Sequence, residues 1–231
     1  FYLSLYHQLS HKKMRIHREG YRIIVSVFAI LVVVSALITA NTDSIIPQFI
    51  MYTFAICFFY FIVRFFRVPK RHLTKDDNII YCPADGKIVV IEEIEENKYF
   101  HDKRLKVSIF MSPFNVHVNS YPISGEVKKV DYYPGKHMIA WYPKSSDNNE
   151  HSCTLIEHPN KTQILVKQIA GIIARRIVCY AKVGQEIHQG DEIGIIKMGS
   201  RVDVILPINV RLDVELGESV RSKKTILAYF K

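Results

Sequence analysis

Four short stretches of this chain carry side chains able to do chemistry. Gly199-Ser200 lies between two valine- and isoleucine-rich runs near the C-terminus. A serine hydroxyl is a weak nucleophile until a base takes its proton, and a preceding glycine removes side-chain hindrance at the carbonyl it would attack. Asp85-Gly86 opens onto the run Lys87–Glu92, His117 lies just beyond Ser112-Pro113, and Arg175 and Arg176 are adjacent. Imidazole exchanges protons near neutral pH, a carboxylate can orient and charge-stabilise it, and guanidinium forks match phosphate oxygens. Taken singly, each stretch also has a plain structural reading. Gly-Ser and Asp-Gly are ordinary turn dipeptides, His117 can be a strand histidine satisfied by a neighbour, and either arginine can be solvated or structural.

The chain that must position these groups has 231 residues, 48% hydrophobic and 12% aromatic, with only 10 Gly and 9 Pro. That composition excludes a disordered, collagen-like or low-complexity chain. A formal net charge of +9 favours an anionic partner, either nucleic acid or an acidic membrane surface. Cys57, Cys82, Cys153 and Cys179 are far apart with no ligand spacing, so neither a zinc site nor a disulfide framework is expected, and the compartment reads as reducing.

Residues 23–40 (IIVSVFAILVVVSALITA) run without a charge, and residues 45–63 (IIPQFIMYTFAICFFYFIV) are broken only by Pro47 and Gln48. Each is long enough to cross the hydrocarbon layer, which takes about 20 helical residues. Asn41-Thr42-Asp43-Ser44 leaves room only for a tight helical hairpin. Lys12, Lys13, Arg15, Arg18 and Arg22 precede the first span and Arg64, Arg67, Lys70 and Arg71 follow the second, so the positive-inside rule places both ends in the cytoplasm. A second span so soon after the first fits a cleaved signal peptide poorly. Residues 1–13 read as a poorly structured tail, and Met14 is a candidate start of translation.

Beyond Arg67-Val68-Pro69-Lys70-Arg71 the pattern changes to short β runs: Lys87–Glu92, Leu105–Met111, Gly125–Tyr132, Thr162–Ile169, Ile177–Val183, Glu192–Ile196 and Val202–Leu206. Turn residues punctuate them, as in a compact β domain. Ile169–Arg176 is the one stretch that reads as a short helix. Ala181–Ile196 (AKVGQEIHQGDEIGII) predicts two strands with Gly184 and Gly190 in turns that tolerate positive φ, a rhythm found in lipoyl-like and barrel-sandwich hairpins. The expected fold is therefore mainly β, a compact β-rich domain with a barrel-sandwich or lipoyl-like hairpin, preceded by a two-helix transmembrane hairpin.

Tyr81–Ile88 (YCPADGKI), Phe110–Asn119 (FMSPFNVHVN), Gln168–Arg176 (QIAGIIARR) and Ile196–Pro207 (IKMGSRVDVILP), in this order, resemble the phosphatidylserine decarboxylase family in its short, membrane-associated form. The resemblance spans most of residues 79–207. It implies a self-processing enzyme that converts phosphatidylserine to phosphatidylethanolamine through a Schiff base to a pyruvoyl group. The proenzyme would cut between Gly199 and Ser200, and the pyruvoyl cofactor would derive from Ser200. In that chemistry the Ser200 hydroxyl attacks the Gly199 carbonyl in an N→O acyl shift, elimination gives dehydroalanine, and hydrolysis of its imine tautomer releases ammonia and leaves a ketone. The acyl shift calls for a strained, accessible turn. An Asp/His/Ser triad implied by the resemblance falls on Asp85, His117 and Ser200, with Arg175 and Arg176 as candidates for the lipid phosphate and no metal. Longer members carry a second histidine three residues after the first, where this chain has Ser120, so either His117 serves both cleavage and decarboxylation or His137, His151 or His158 joins it. The implied organisation is a basic N-terminal tail (1–22), a transmembrane hairpin (23–66), a basic linker (67–78) and a catalytic domain (79–231). The implied partners are phosphatidylserine, an anionic membrane and the processed large and small chains as a heterodimer with room for a higher oligomer; the implied location is the inner membrane with the catalytic domain cytoplasmic.

Two other classes compete. A membrane-anchored biotinyl- or lipoyl-like carrier or adaptor would use the 181–196 hairpin and Lys197 beside Met198. A nucleic-acid-binding module would use the +9 charge, but the excess clusters partly around the spans and no nucleic-acid signature is present, so no nucleic-acid partner is expected.

Overall fold

The computed structural model describes residues 14–135, 149–171, 176–197 and 200–231. The expectations for the tail 1–13 and for His137, Arg175, Met198 and Gly199 lie outside the described residues. The chain divides into two compact units, Phe1–Lys70 and Arg71–Lys231.

The first unit holds two helices, α1 (Arg18–Asn41) and α2 (Ile45–Phe65), and the two-residue strands β1 (Arg15–Ile16) and β2 (Arg67–Val68), which pair antiparallel. His17 caps α1 by accepting the Glu19 backbone N–H. The pairing of β1 with β2 brings the two outer ends of the hairpin together, and Gly20 is required there because a Cβ would lie 2.5 Å from the Phe66 ring. Along the hairpin Phe28 meets Phe59 with ring centroids 5.5 Å apart, and Thr39 shares a hydrogen bond with Tyr52 at 2.7 Å. The two helices have 24 and 21 residues, about 36 and 32 Å at 1.5 Å per residue, against a hydrocarbon layer of about 30 Å. Both are long and apolar enough to cross a membrane.

The second unit is β-rich. Its strands are β3 (Ile79–Tyr81), β4 (Gly86–Glu96), β5 (Asp102–Met111), β6 (Val118–Ser120), β7 (Gly125–Tyr133), β8 (His151–Glu157), β9 (Gln163–Ala170), β10 (Ile177–Cys179), β11 (Glu186–Ile187), β12 (Glu192–Ile196), β13 (Ser200–Pro207), β14 (Arg211–Leu212), β15 (Ser219–Val220) and β16 (Ile226–Tyr229). Eight of them form one antiparallel sheet in the order β11-β7-β8-β9-β13-β5-β4-β15, and β10-β12-β6 and β14-β16-β3 form two smaller sheets. Register shifts at Ile88/Val90 and Val127/Lys129 are the irregularities that bend long strands, and the large sheet curls into a half-barrel.

Alternation along β13 gives the layering. Val202, Val204 and Leu206 join the main core with Val107, Ile109, Met111, Val166 and Ile196. Ile205 on the opposite face packs with Cys153, Leu155 and Leu165. Because the large sheet is covered on both faces, its central strands bury nearly every residue, polar ones included. That explains why β8 (HSCTLIE) escapes a reading based on apolar alternation. Its polar side chains find partners instead: Ser152 donates to Gln168 at 3.1 Å and His151 Nδ1 lies 2.7 Å from the Asn149 carbonyl.

The run expected as a short helix, Ile169–Arg176, begins as strand. β9 continues through Ala170 because Ile169 and Ala170 pair with Arg201 and Ser200 of β13. The 181–196 rhythm is also redistributed. Gly184 and Gly190 do sit at φ +79° and +85°, but β12 pairs with β10 and β6, while β11 is diverted to β7. The strand expected over Ile177–Val183 ends at Cys179, since Lys182–Gln185 forms a turn whose Gly184 N–H bonds to the Val127 carbonyl.

Candidate active site

Ser200 is the first residue of β13, and its neighbours across the sheet are Met111 and Ala170. It is fully buried, and its hydroxyl donates to the Met111 sulfur at 3.4 Å. The structure therefore places Ser200 at the head of a central strand, on the core face that Val202 and Val204 share; the turn expected before it includes Met198 and Gly199, outside the described residues. A thioether is a weak acceptor, so the hydrogen bond described for this hydroxyl is a weak one.

His117 follows the turn Ser112–Asn115 and immediately precedes β6. In that turn the Asn115 side chain accepts from both the Ser112 N–H and hydroxyl at 2.8 Å, and the Asn115 N–H returns a bond to the Ser112 carbonyl. The Asn115 carbonyl lies 3.1 Å from His117 Nδ1. A carbonyl only accepts, so Nδ1 carries the proton and Nε2 is the basic nitrogen of the neutral ring. The His117 carbonyl in turn accepts from the Ile196 N–H at 3.3 Å, which ties the buried histidine to the strand ending four residues before Ser200.

Asn119 and Gln168 are buried polar groups that the sequence reading left unassigned. Asn119 donates to the same Met111 sulfur at 3.6 Å, Gln168 donates to Asn119 at 2.8 Å, and Ser152 donates to Gln168. A polar residue between Val166 and Ala170 on the inner face of a strand is the signal that could have singled out Gln168. Arg201 is another such group. Its fully buried guanidinium pairs with Asp203 at 2.6 Å and donates to Ser108 at 2.7 Å, which fixes the β13 residues next to Ser200.

Asp85 is buried, and its carboxylate forms a two-pronged ion pair with Arg71, with 2.6 Å between Arg71 Nη2 and Oδ2. Its Oδ1 also accepts the Ser222 N–H at 2.9 Å, and Arg71 donates to the Ser222 carbonyl at 2.8 Å. The Ser222 hydroxyl bonds to Ser120 of β6, three residues after His117, and the Ser120 N–H bonds to the Pro83 carbonyl, two residues before Asp85. Arg71, which the sequence offered as part of the basic membrane-proximal cluster, is thereby engaged within the folded unit. Breaking one half of such a buried pair costs about 3–5 kcal/mol.

The other named groups separate. His151 pairs across the sheet with Ile169, itself opposite Arg201, so it lies on the outer face, stacked on Tyr133 at 4.7 Å. His158 lies beyond the far end of β8, its ring tilted against Phe230 with centroids 4.9 Å apart. Arg176 is exposed, and its carbonyl accepts the Lys197 N–H at 3.2 Å, which holds it beside the Ser200 segment. Burial, with Glu218 and Asp85 nearby, pushes the Cys82 thiol well above its ordinary range, and burial also raises Cys153. Neither is a thiolate nucleophile near neutral pH. Among the described residues no group of three or more His, Cys, Asp or Glu side chains is placed to hold a metal ion.

The segments that carry Ser200, His117 and Asp85 lie near the Met111–Ser200 end of the large sheet, and comparison with known proteins gives the family of the chain. The family model for phosphatidylserine decarboxylase matches residues 58–228. A phosphatidylserine decarboxylase proenzyme of Bacteroides thetaiotaomicron is 47% identical over 221 residues, covering 95% of this chain and 97% of that protein. Proenzymes of the same name from Cytophaga hutchinsonii and Porphyromonas gingivalis are 45% and 39% identical, covering 94% and 93% of this chain and 99% and 98% of theirs. The chain belongs to the phosphatidylserine decarboxylase family.

Proposed function

We propose that this protein decarboxylates phosphatidylserine to phosphatidylethanolamine with a pyruvoyl group that it makes from its own Ser200 by cutting between residues 199 and 200. The observation that carries the reading is the placement of Ser200, buried at the head of β13, in a chain whose proenzyme relatives align over nearly their whole length.

The surroundings suit the change from serine to ketone. The hydrogen bond described for the Ser200 hydroxyl is to a thioether, so replacing the hydroxyl-bearing carbon with a methyl group strands no strong acceptor among the described residues. Met111 and Ala170 on either side are apolar and fully buried. When formed, a pyruvoyl carbonyl supplies an electrophile for the substrate amine and a sink for the electrons released as carbon dioxide departs.

The chain's own residues do the rest. In cleavage the Ser200 hydroxyl attacks the Gly199 carbonyl, its proton passes to His117 Nε2, and the Gly199–Ser200 C–N bond gives way to an ester. Elimination then frees Gly199 as a carboxylate, and water enters as ammonia leaves. Asp85 would hold β6 and the C-terminal segment in register with His117 through Ser222 and Ser120, and Arg71 fixes that carboxylate. After cleavage residues 200–231 remain paired with the large chain, because β13 lies between β5 and β9, β15 pairs with β4 and β16 with β3. The two chains then act as a heterodimer.

Helices α1 and α2 would span the inner membrane with both ends cytoplasmic, keeping the enzyme at the bilayer that carries its substrate. Arg176, and Arg175 next to it in sequence, are the cations proposed to meet the phosphate. The carrier reading is not favoured, because the relatives that align over nearly the whole chain are phosphatidylserine decarboxylase proenzymes.

Carbonyl reagents test the proposal. Hydroxylamine, or borohydride added with phosphatidylserine, is expected to abolish activity of the wild-type protein; full activity after both treatments contradicts a ketone cofactor.

A further inference from the structure

We infer that the Ser200 end of the β-rich unit is a lipid-docking face, with Phe114 as a wedge that enters the bilayer surface beside the active site. The inference rests on the decarboxylase reading above and deepens it.

Among the described residues, the large apolar side chains exposed on the second unit include two aromatics, Phe114 at 66% and Tyr132 at 56%. Both lie at the same end of the large sheet. Phe114 follows the last residue of β5, Met111, which pairs with Ser200; Tyr132 is the penultimate residue of β7, in the row that crosses the sheet through Ser152 and Gln168 to Val202. The exposed cations Lys87, opposite Phe110, and Arg176, bonded to Lys197, lie at that end too. Aromatic side chains with neighbouring cations are the combination that anionic lipid headgroups favour.

A single exposed phenylalanine is ordinary on a soluble surface. Phe114 differs because its turn is built. Ser112 and Asn115 clamp the turn with three hydrogen bonds, and Phe114 between them keeps 66% of its surface exposed. The same Asn115 orients His117. A lipid whose acyl chains stay in the bilayer must bring its headgroup to a fully buried serine, so the bilayer surface must come close to this end. The wedge would set that approach, and the helical hairpin would supply attachment alone.

The test uses the full chain reconstituted in phosphatidylcholine vesicles containing phosphatidylserine, compared with monomerically dispersed short-chain phosphatidylserine. Phe114→Ser is expected to be cut normally and to turn over the monomeric substrate normally, while its apparent KM for vesicle phosphatidylserine rises about tenfold, equivalent to about 1.4 kcal/mol. Phe114→Leu should restore most of the loss. Independently, Phe114→Trp should add fluorescence quenchable by brominated lipids. Unchanged vesicle kinetics, equal loss on both substrates, or no added quenching would overturn the wedge. An uncut or inactive wild-type protein would instead overturn the decarboxylase reading.

Discussion

Ser200→Ala is expected to leave one uncut chain with no measurable decarboxylase activity. Alanine removes the hydroxyl needed for the acyl shift, so neither the break nor the ketone can form. The loss should be the whole catalytic effect, at least about 10⁶-fold for an enzyme-catalysed reaction. Folding should be almost unaffected, because the hydroxyl's described hydrogen bond is to the Met111 thioether and a methyl group fits beside Ala170. A denaturing gel, a melting curve and release of carbon dioxide from labelled phosphatidylserine separate these effects. An uncut, stable and inactive variant fits the account; a variant that decarboxylates normally contradicts it.

His117→Ala should slow self-cleavage by about 10²–10⁴-fold, the usual contribution of a positioned general base. In the proposed cleavage Nε2 would be the proton acceptor, because Nδ1 is engaged with the Asn115 carbonyl. Removing a fully buried ring also leaves a cavity, so the variant should melt at a lower temperature. His117→Gln controls for packing: it refills much of the space without an imidazole, and it should recover stability while cleavage stays slow. Pulse-chase labelling of the large and small chains reads the rate. If either variant were processed at the normal rate yet inactive, His117 would serve decarboxylation alone. Recovery of cleavage by glutamine would make its role one of packing.

The β-rich unit was readable where a strand has one apolar face or a continuous apolar run, as in β5, β9 and β13. The positive-φ turns at Gly184 and Gly190 were readable because a glycine is cheap there and other residues are not. What escaped was pairing between distant segments. Nothing local distinguishes β8 from a loop, since its Ser152 is satisfied by Gln168 of β9. Nor could spacing alone show that β11 leaves β12 for β7.

The site was legible in a similar way. Ser200, His117 and Asp85 were named from four stretches taken together, each of which alone reads as ordinary turn or strand chemistry, and the fold brings the segments carrying them near one end of the large sheet. Their support was hidden. Arg71 looked like one more membrane-proximal cation until its bidentate contact with Asp85 was seen, and Ser222, 137 residues from Asp85, carries no motif at all. Asn119 and Gln168 were present in the quoted stretches, but their value lies in a buried network that spans β6, β8 and β9. Side chains that act through long-range hydrogen bonds leave a fainter trace in sequence than those that react.

The most direct test is the intact mass of the purified wild-type protein under denaturing conditions. Two species are predicted: a large chain ending at Gly199, and residues 200–231 lighter by one ammonia than the same peptide with an N-terminal serine. A single unbroken chain retaining Ser200 would contradict the self-made cofactor on which the proposed activity depends.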